Sequence, residues 1–292
     1  VVDVVVAGHV NWDVTLRVDA LPEPDGESKI TEQRRAGGGS AANAASVLAG
    51  LDESVGLVGS VGDDEHGLAA RRDLRAAGIT LEQLVVVPDA ETSVKYLVVA
   101  PSGEVMVLGN DGANEAVEPG DVERSFVADA GHLHLTSQKP ETAAWLASVA
   151  RRAGVPVSFD PGRRLDDRDF SETLALADLV FLNGREAQSI GIDALVDAGT
   201  VVAVKRGEGG AILHTSHGTV EHPGFSVDTV DTTGAGDAFA AGFVHVTLAG
   251  GGPREALAYA NACGALATAS PGARTAPSAN EVAAFLDERA GR

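Results

Sequence analysis

Short apolar runs alternate along the chain with longer stretches in which apolar residues recur every three to four positions, a pattern that predicts strands alternating with helices. The runs at 2–7, 54–58, 131–135, 155–159, 179–182 and 201–204 read as core strands, and 40–49, 65–77, 141–152, 235–249, 254–269 and 278–289 read as helices. Strands separated by helices imply a mainly parallel central sheet covered on both faces, an α/β fold. The turn Arg152-Ala153-Gly154-Val155-Pro156 stops one helix just ahead of a buried strand.

Two regions break the rhythm. Segments 13–20 and 27–35, and again 93–100 and 103–108, mix apolar and polar residues in rough alternation, and Pro101-Ser102-Gly103 is a good hairpin turn between the second pair. These four segments are expected to form a small separate sheet. The flanking Gly-rich stretches would serve it as hinges, so it reads as a lid and not as an edge extension of the main sheet. The expected division is a core of 1–11, 37–90 and 111–292 and a lid of 12–36 and 91–110. The 292 residues show no internal repeat and no low-complexity linker.

Composition narrows the function classes. No apolar run reaches the ~20 residues that span a bilayer, so no membrane helix is expected. The apolar start, Val1 to Gly8, carries Asp3 and no basic leader, and reads as a first strand and not as a signal peptide. A net charge of −20 argues against nucleic acid and anionic membranes as partners. Only Lys29, Lys95, Lys139 and Lys205 are lysines, and aromatic residues make up 4% of the chain. Such a composition suits a cytoplasm of molar salt, where acidic self-repulsion is screened within about 3 Å. The one cysteine, Cys263, excludes an intrachain disulfide and reads as a core residue in a reducing cytoplasm.

The segment with most chemistry is Asp231-Thr-Thr-Gly234-Ala235-Gly236-Asp237-Ala-Phe-Ala-Ala-Gly242, a polar Gly-rich turn that leads into an apolar helix. Unbonded N–H groups at a helix start attract anions, and a carboxylate in the same turn can take a proton from a hydroxyl that attacks a bound phosphate. Read alone, the aspartates and threonines are equally helix caps, and Gly-x-Gly is a weak phosphate signal. The turn is neither a Walker A loop nor a dinucleotide fingerprint.

The whole segment resembles the C-terminal motif of the PfkB/ribokinase family of sugar and nucleoside kinases. Gly37-Gly38-Gly39-Ser40-Ala41-Ala42-Asn43-Ala44-Ala45 is similar to the family's N-terminal motif, and Gly59-Ser-Val-Gly62-Asp63-Asp64-Glu-His-Gly67 to a further Gly-rich segment between them. The resemblance spans nearly the whole chain. It implies a ribokinase-like fold, with a Rossmann-like sheet and a small β-sheet lid, and an ATP- and Mg2+-dependent transfer of the γ-phosphate to a hydroxyl of a small sugar-type acceptor.

Residue by residue, the resemblance makes Asp237 the catalytic base and the N–H groups of the Gly234, Ala235, Gly236 and Asp237 turn an anion hole. Asn183-Gly-Arg-Glu186 matches the family's Asn-x-x-Glu element, with Asn183 and Glu186 holding Mg2+ through water; Glu186 read alone is an acid in a first helical turn. The nucleotide site would use Lys205, Gly207, Gly210 and Asn261, although 205–210 also reads as a plain strand-turn-strand. Asn11, Asp13, Gly38, Gly39 and Asn43 would hold the acceptor. Asp231, the carbonyl of Thr233 and the 270–275 loop match the surroundings of a potassium ion. Pairing of two lids would give a homodimer.

The family's ribokinases carry a Lys in the N-terminal motif where this chain has Ser40 and Ala41, which points away from ribokinase itself and toward relatives acting on nucleosides or other sugars. A phosphorylated acceptor needs cations, and Arg34, Arg35, Lys95, Lys139 and the Arg163-Arg164 pair are the candidates. Arg164 lies where open α/β sheets bind ligands, yet the pair reads equally as surface arginines bonded to Asp166 and Asp167. Ribose 1-phosphate, fructose 1-phosphate, free sugars, 2-keto-3-deoxygluconate and nucleosides therefore all stay open as acceptors, beside a non-catalytic binding relative.

Overall fold

The computed structural model describes residues 1–102, 104–270, 272, 274 and 276–290. Its strands are β1 (Val4–Ala7), β2 (Asn11–Val18), β3 (Ile30–Gly38), β4 (Val55–Gly62), β5 (Leu84–Val87), β6 (Val94–Val99), β7 (Val105–Gly109), β8 (His132–Leu135), β9 (Val157–Phe159), β10 (Leu179–Asn183), β11 (Val201–Lys205), β12 (Ala211–Thr215) and β13 (Gly218–His222). The main sheet runs β13-β12-β11-β10-β9-β8-β1-β4-β5. Its pairs are parallel from β5 to β11, and the β11–β12 and β12–β13 pairs are antiparallel.

The central strands are buried because helices cover both faces, and their side chains alternate between two cores. Val4 and Val6 pack with helices Ser40–Gly50, Ala235–Leu248 and Pro253–Thr268, whereas Val5 and Ala7 pack with helix Pro140–Ala153. Helices Ala235–Leu248 and Pro253–Thr268 touch through small residues: a Cβ on Gly242 would lie 2.7 Å from Cys263 Sγ. Cys263 is buried and free, and burial pushes its thiol up to about 12, as suits a core residue.

The second sheet, β3-β2-β6-β7, contains the four expected segments. It is antiparallel except for the β2–β6 pair. Gly103, in the predicted hairpin turn, lies outside the described residues. Trp12 and Val14 of β2 point inward, and Trp12 stacks on His66 with 6.2 Å between ring centroids. The outer strand β7 exposes Val105, Val107 and Leu108. Pairing continues further than the polar/apolar pattern suggests, with Asn11 opposite Gly38, so the sheet runs unbroken into the Gly-rich motif.

Edge strand β5 and hairpin β12–β13 were not predicted. β5 is only partly buried, and β12 and β13 interleave His214, Thr215, Thr219, Glu221 and His222 with apolar residues, so neither stands out as an apolar run.

Candidate active site

The Gly-rich turn before helix Ala235–Leu248 folds as its residue types require. Gly234 caps the helix in the left-handed region (φ 80°), where a Cβ would be strained, and among the described residues no side chain caps its N-terminal N–H groups. Asp237 stands in the first turn of this helix, and its Oδ2 accepts a hydrogen bond from Asn43 Nδ2 at 2.8 Å, which joins the two motifs. Burial pushes the Asp237 carboxyl up to about 7; Asn43 and Lys205 pull it down, and Asp160 and Asp13 push it up. The carboxyl thus changes protonation near neutrality, as a general base should.

Behind this turn lies Lys205, at the end of β11. Its ammonium is paired with Asp160 and reaches within 3.3 Å of where a Cβ on Gly236 would sit. Burial alone would lower its pKa, but Asp160 together with Glu186 and Asp237 holds it above the ordinary lysine value. Lys205 therefore adds positive charge beneath the helix start and lies away from the turn of Gly207 and Gly210 that follows it. β11 and β12 pair across that turn. Gly207 and Gly210 both have positive φ (57° and 77°), and a Cβ on Gly210 would come within 2.0 Å of the His222 carbonyl oxygen.

Asn183 and Glu186 cap each other. Asn183 Oδ1 accepts from the Glu186 N–H at 2.9 Å, and Glu186 Oε2 accepts from the Asn183 N–H at 2.8 Å. This is a reciprocal capping box, so the first-turn reading of Glu186 holds alongside any metal role. Glu186 is buried, and burial raises its pKa while Asn183 lowers it. Asn261 is buried in helix Pro253–Thr268, with Nδ2 bonded to the Leu257 carbonyl at 2.7 Å. Both Asp231 oxygens accept backbone N–H groups, from Thr233 at 2.9 Å and Gly272 at 3.0 Å. Pro271, Ala273 and Thr275 of the expected cation loop lie outside the described residues.

The residues expected to hold an acceptor gather where β1 gives way to β2 and β3 meets helix Ser40–Gly50. A Cβ on Gly38 would fall 2.1 Å from Asp13 Oδ2, and one on Gly39 (φ 95°) 2.4 Å from the His9 carbonyl oxygen, so both glycines are needed for this close approach. Asn11 Oδ1 accepts from Asn114 Nδ2 at 2.7 Å. Burial raises Asp13 to about 6, against the pull of Arg274 and Lys95. Asp13 Oδ1 and Asn43 Oδ1 are buried without a partner. Two such acceptors in one groove suit hydroxyl donors of a ligand.

Next to this groove a cationic cluster closes around two carboxylates of the segment after β7. Glu115 (φ 64°) takes a bidentate pair from Arg168, at 2.9 Å to each oxygen, and a contact from His9 Nε2 at 2.8 Å. Burial would raise Glu115, but His9 and Arg168 hold it down at about 2. Arg164 reaches Asp111 at 2.8 Å and lies 3.8 Å from Glu115, and Lys95 lies 3.9 Å from Asp111. Arg164 therefore turns toward the groove and does not pair with its chain neighbours; Asp166 is bonded to Arg185 instead. Lys139 pairs with the exposed Glu118. Sequence reasoning missed His9, Asp111, Glu115, Arg168 and Arg274. They lie in loops without motif spacing, and only the run Asp111-Gly-Ala-Asn-Glu115 hinted at a special turn.

The pfkB family carbohydrate kinase model matches residues 2–280. The chain belongs to the pfkB family of carbohydrate kinases. This kinase is 57% identical, over 99% of both chains, to the ATP-dependent ribose-1-phosphate kinase of Halopiger xanaduensis. It is 28% identical to the nucleoside kinase of Methanothermobacter thermautotrophicus, covering 94% of this chain and 91% of that one. Among solved structures, the ribokinase of Thermotoga maritima superposes with a TM-score of 0.89 at 25% identity, covering 98% of this kinase and all of that chain (100%). The ribokinase-like architecture and ATP-dependent phosphotransfer implied by the motifs are thereby those of this kinase. None of its described helices is long and apolar enough to cross a membrane.

Proposed function

We propose that this kinase phosphorylates a hydroxyl of a small sugar phosphate, with ribose 1-phosphate as the acceptor. The observation that carries this reading is the convergence of Lys95, Arg164, Arg168 and His9 beside the Asp13–Asn43 groove, in a chain with only 22 lysines and arginines against 42 acids. Guanidinium groups match phosphate oxygens in a way that a free sugar or a nucleobase does not use. The 57% identity to a ribose-1-phosphate kinase supports the same choice.

In this mechanism Asp13, Asn11 and Asn43 bind the sugar hydroxyls, with Gly38 and Gly39 leaving room, and Arg164 and its neighbours take the phosphate. Asp237 removes the proton from the acceptor hydroxyl. The oxygen attacks the γ-phosphorus of ATP, the bond from that phosphorus to the β–γ bridging oxygen breaks, and ADP leaves. N–H groups of Ala235, Gly236 and Asp237 hold the transferring phosphoryl oxygens, each worth about 3–4 kcal/mol when aligned. Lys205 adds charge behind them. Gly207, Gly210 and Asn261 would flank the nucleotide.

Mg2+ supplies charge neutralisation on the ATP phosphates. Asn183 and Glu186 fit it through intervening water, because one Glu186 oxygen remains outside the capping box. A potassium ion would fit beside Asp231 and the Thr233 carbonyl, since Asp231 already ties that turn to the loop containing Gly272. The exposed apolar edge of β7 supports lid-to-lid pairing in a homodimer, and the acidic composition supports a salt-rich cytoplasm as its setting.

The test is ADP release with Mg2+-ATP in molar KCl across ribose 1-phosphate, fructose 1-phosphate, ribose, 2-keto-3-deoxygluconate and nucleosides. A kcat/KM for ribose 1-phosphate at least about 100-fold above that for ribose is expected, with loss of about 10²–10⁴-fold in Asp237→Asn. Equal or better use of ribose or a nucleoside would overturn the acceptor assignment.

A further inference from the structure

Five consecutive residues between the small sheet and the core, Asp111-Gly112-Ala113-Asn114-Glu115, reach both the sugar side and the cationic side of the acceptor groove. Asn114 Nδ2 donates to Asn11 Oδ1 at 2.7 Å, and Asn114 Oδ1 accepts the Val10 N–H at 3.4 Å. From the same turn Glu115 meets Arg168, His9 and Arg164, and Asp111 meets Arg164 and Lys95. The turn is pinned from behind: the Ala113 N–H donates to the Glu91 carbonyl at 2.7 Å, and the Ala113 carbonyl accepts from Ser60 Oγ at 2.7 Å.

Glu115 has a φ of 64°, a left-handed conformation that a long side chain seldom adopts. Backbone strain of this kind persists where the surroundings hold it. Here they hold the carboxylate. Glu115 is 13% exposed and both its oxygens are engaged: Oε2 accepts from Arg168 Nη2 at 2.9 Å, while Oε1 accepts from Arg168 Nη1 at 2.9 Å and meets His9 Nε2 at 2.8 Å. Arg168 Nη1 also donates to the Gln138 carbonyl at 2.9 Å, so both terminal nitrogens of this guanidinium are occupied.

Asp111 is placed differently. It is 71% exposed and holds Arg164 Nη2 through one oxygen at 2.8 Å, and Lys95 approaches the same oxygen at 3.9 Å. An exposed pair with one contact is readily exchanged, whereas opening an enclosed bidentate pair strands two charges. Glu115 balances the charge of Arg168, while Arg164 and Lys95 share Asp111. Withdrawal of Asp111 leaves two positive charges, which match the roughly −1.5 to −2 of a phosphate monoester.

With a sugar phosphate as acceptor, the reading on which this step rests, we propose that Glu115 is a positioning residue for phosphate recognition and that Asp111 is the carboxylate the phosphate replaces. Glu115 closes Arg168 and His9 into a fixed frame and holds Arg164, whose Nε lies 3.8 Å from Glu115 Oε1, beside the groove. The acceptor's phosphate takes the place of Asp111 on Arg164 and Lys95. Arg168 and His9 act through Arg164 and do not touch the phosphate. Asn114 of the same turn holds the Asn11 amide, so one short segment sets the distance between the sugar-binding amide and the phosphate-binding guanidinium. A free sugar leaves the Asp111 pairs in place and gains nothing from the frame, and the turn thereby sets the preference for a phosphorylated acceptor.

The experiment measures kcat and KM for ribose 1-phosphate and for ribose in wild type, Glu115→Gln and Glu115→Gly, and determines the structure of the wild-type chain with ribose 1-phosphate and a non-hydrolysable ATP analogue. Glu115→Gln is expected to raise the KM for ribose 1-phosphate at least about 10-fold, to change the KM for ribose and for ATP by less than about twofold, and to keep kcat within about threefold. Glu115→Gly suits the backbone at this position and is expected to lose as much; a purely conformational role for residue 115 would leave its KM at the wild-type level. In the complex, Arg164 is expected on the phosphate with the Glu115–Arg168 pair still closed. Wild-type preference for ribose would remove the phosphorylated acceptor and this role with it. Preference for ribose 1-phosphate combined with equal rises of both acceptor KM values in Glu115→Gln, with normal binding by Glu115→Gly, or with Arg168 leaving Glu115 for the phosphate in the complex would overturn the positioning role alone.

Discussion

Replacing Asn43 by Leu removes the side-chain donor bonded to Asp237 at 2.8 Å, while nearly keeping the volume of the side chain. Hydrogen bonds to a charged group are worth about 1.5–3 kcal/mol. At 1.36 kcal/mol per pKa unit, their loss raises the Asp237 carboxyl by about 1–2 units from its value of about 7. The base acts only when ionised. Wild-type kcat is therefore expected to rise through pH 7 and level off above it, and the variant's midpoint to lie near pH 8–9. At pH 7 the variant loses about 5- to 50-fold, and most of that loss is recovered by pH 9.5. The assay is single-turnover phosphorylation at saturating acceptor and ATP from pH 5.5 to 9.5, because kcat reports groups in the ternary complex. A uniformly lower profile with an unmoved midpoint would refute this reasoning and leave Asn43 only a positioning role. A flat wild-type profile across this range would show that Asp237 is ionised throughout.

Asp237→Asn should stabilise the protein while disabling it. The folded-state pKa of about 7 lies above the unfolded value near 3.8, so ionisation costs stability as pH rises between the two. The thermal midpoint of the variant should exceed wild type by more at pH 8 than at pH 5, and an equal difference at both would contradict the raised pKa. Asp111→Asn frees Arg164 and Lys95 from a competing carboxylate, so the KM for ribose 1-phosphate should fall by about 3-fold or more, while the KM for ATP should not change. A rise in the ribose 1-phosphate KM would remove these cations from the acceptor site. Gly242→Ala should cost about 1–3 kcal/mol in urea denaturation, because its Cβ would crowd Cys263 Sγ at 2.7 Å, and adding Cys263→Ala should recover part of that loss. No recovery would mean that the strain lies elsewhere between the two helices.

Much of the architecture was legible in the chain because burial on both faces leaves an uninterrupted apolar signature. β1, β4, β8, β10 and β11 are that kind of strand, and each was found within a few residues. β5 and the β12–β13 hairpin sit at the sheet edges, where one side faces solvent and polar residues dilute the pattern. The site divided in the same way. Asp237, the Gly234–Gly236 turn, Gly38, Gly39 and Asn43 belong to contiguous motifs whose glycines answer local backbone demands, and local demands are written in local sequence. Their meeting, with Asn43 bonded to Asp237, depends on two helices being brought together by the shared core.

The sequence by itself determined the order of the central strands and long helices, the small second sheet, and the Gly-rich helix start with its carboxylate. Only the tertiary structure decided which cations face the acceptor groove. Arg164 has acidic neighbours at 166 and 167 yet pairs across space with Asp111, and Arg168, His9 and Glu115 meet although they come from three separate loops. Arg34 and Arg35 looked equally suited to a sugar phosphate, but neither joins the carboxylates Asp111 and Glu115 that gather Lys95, Arg164 and Arg168. A charge interacts over distances in space that its neighbours along the chain do not set, so pairing of ions is a property of the packed fold.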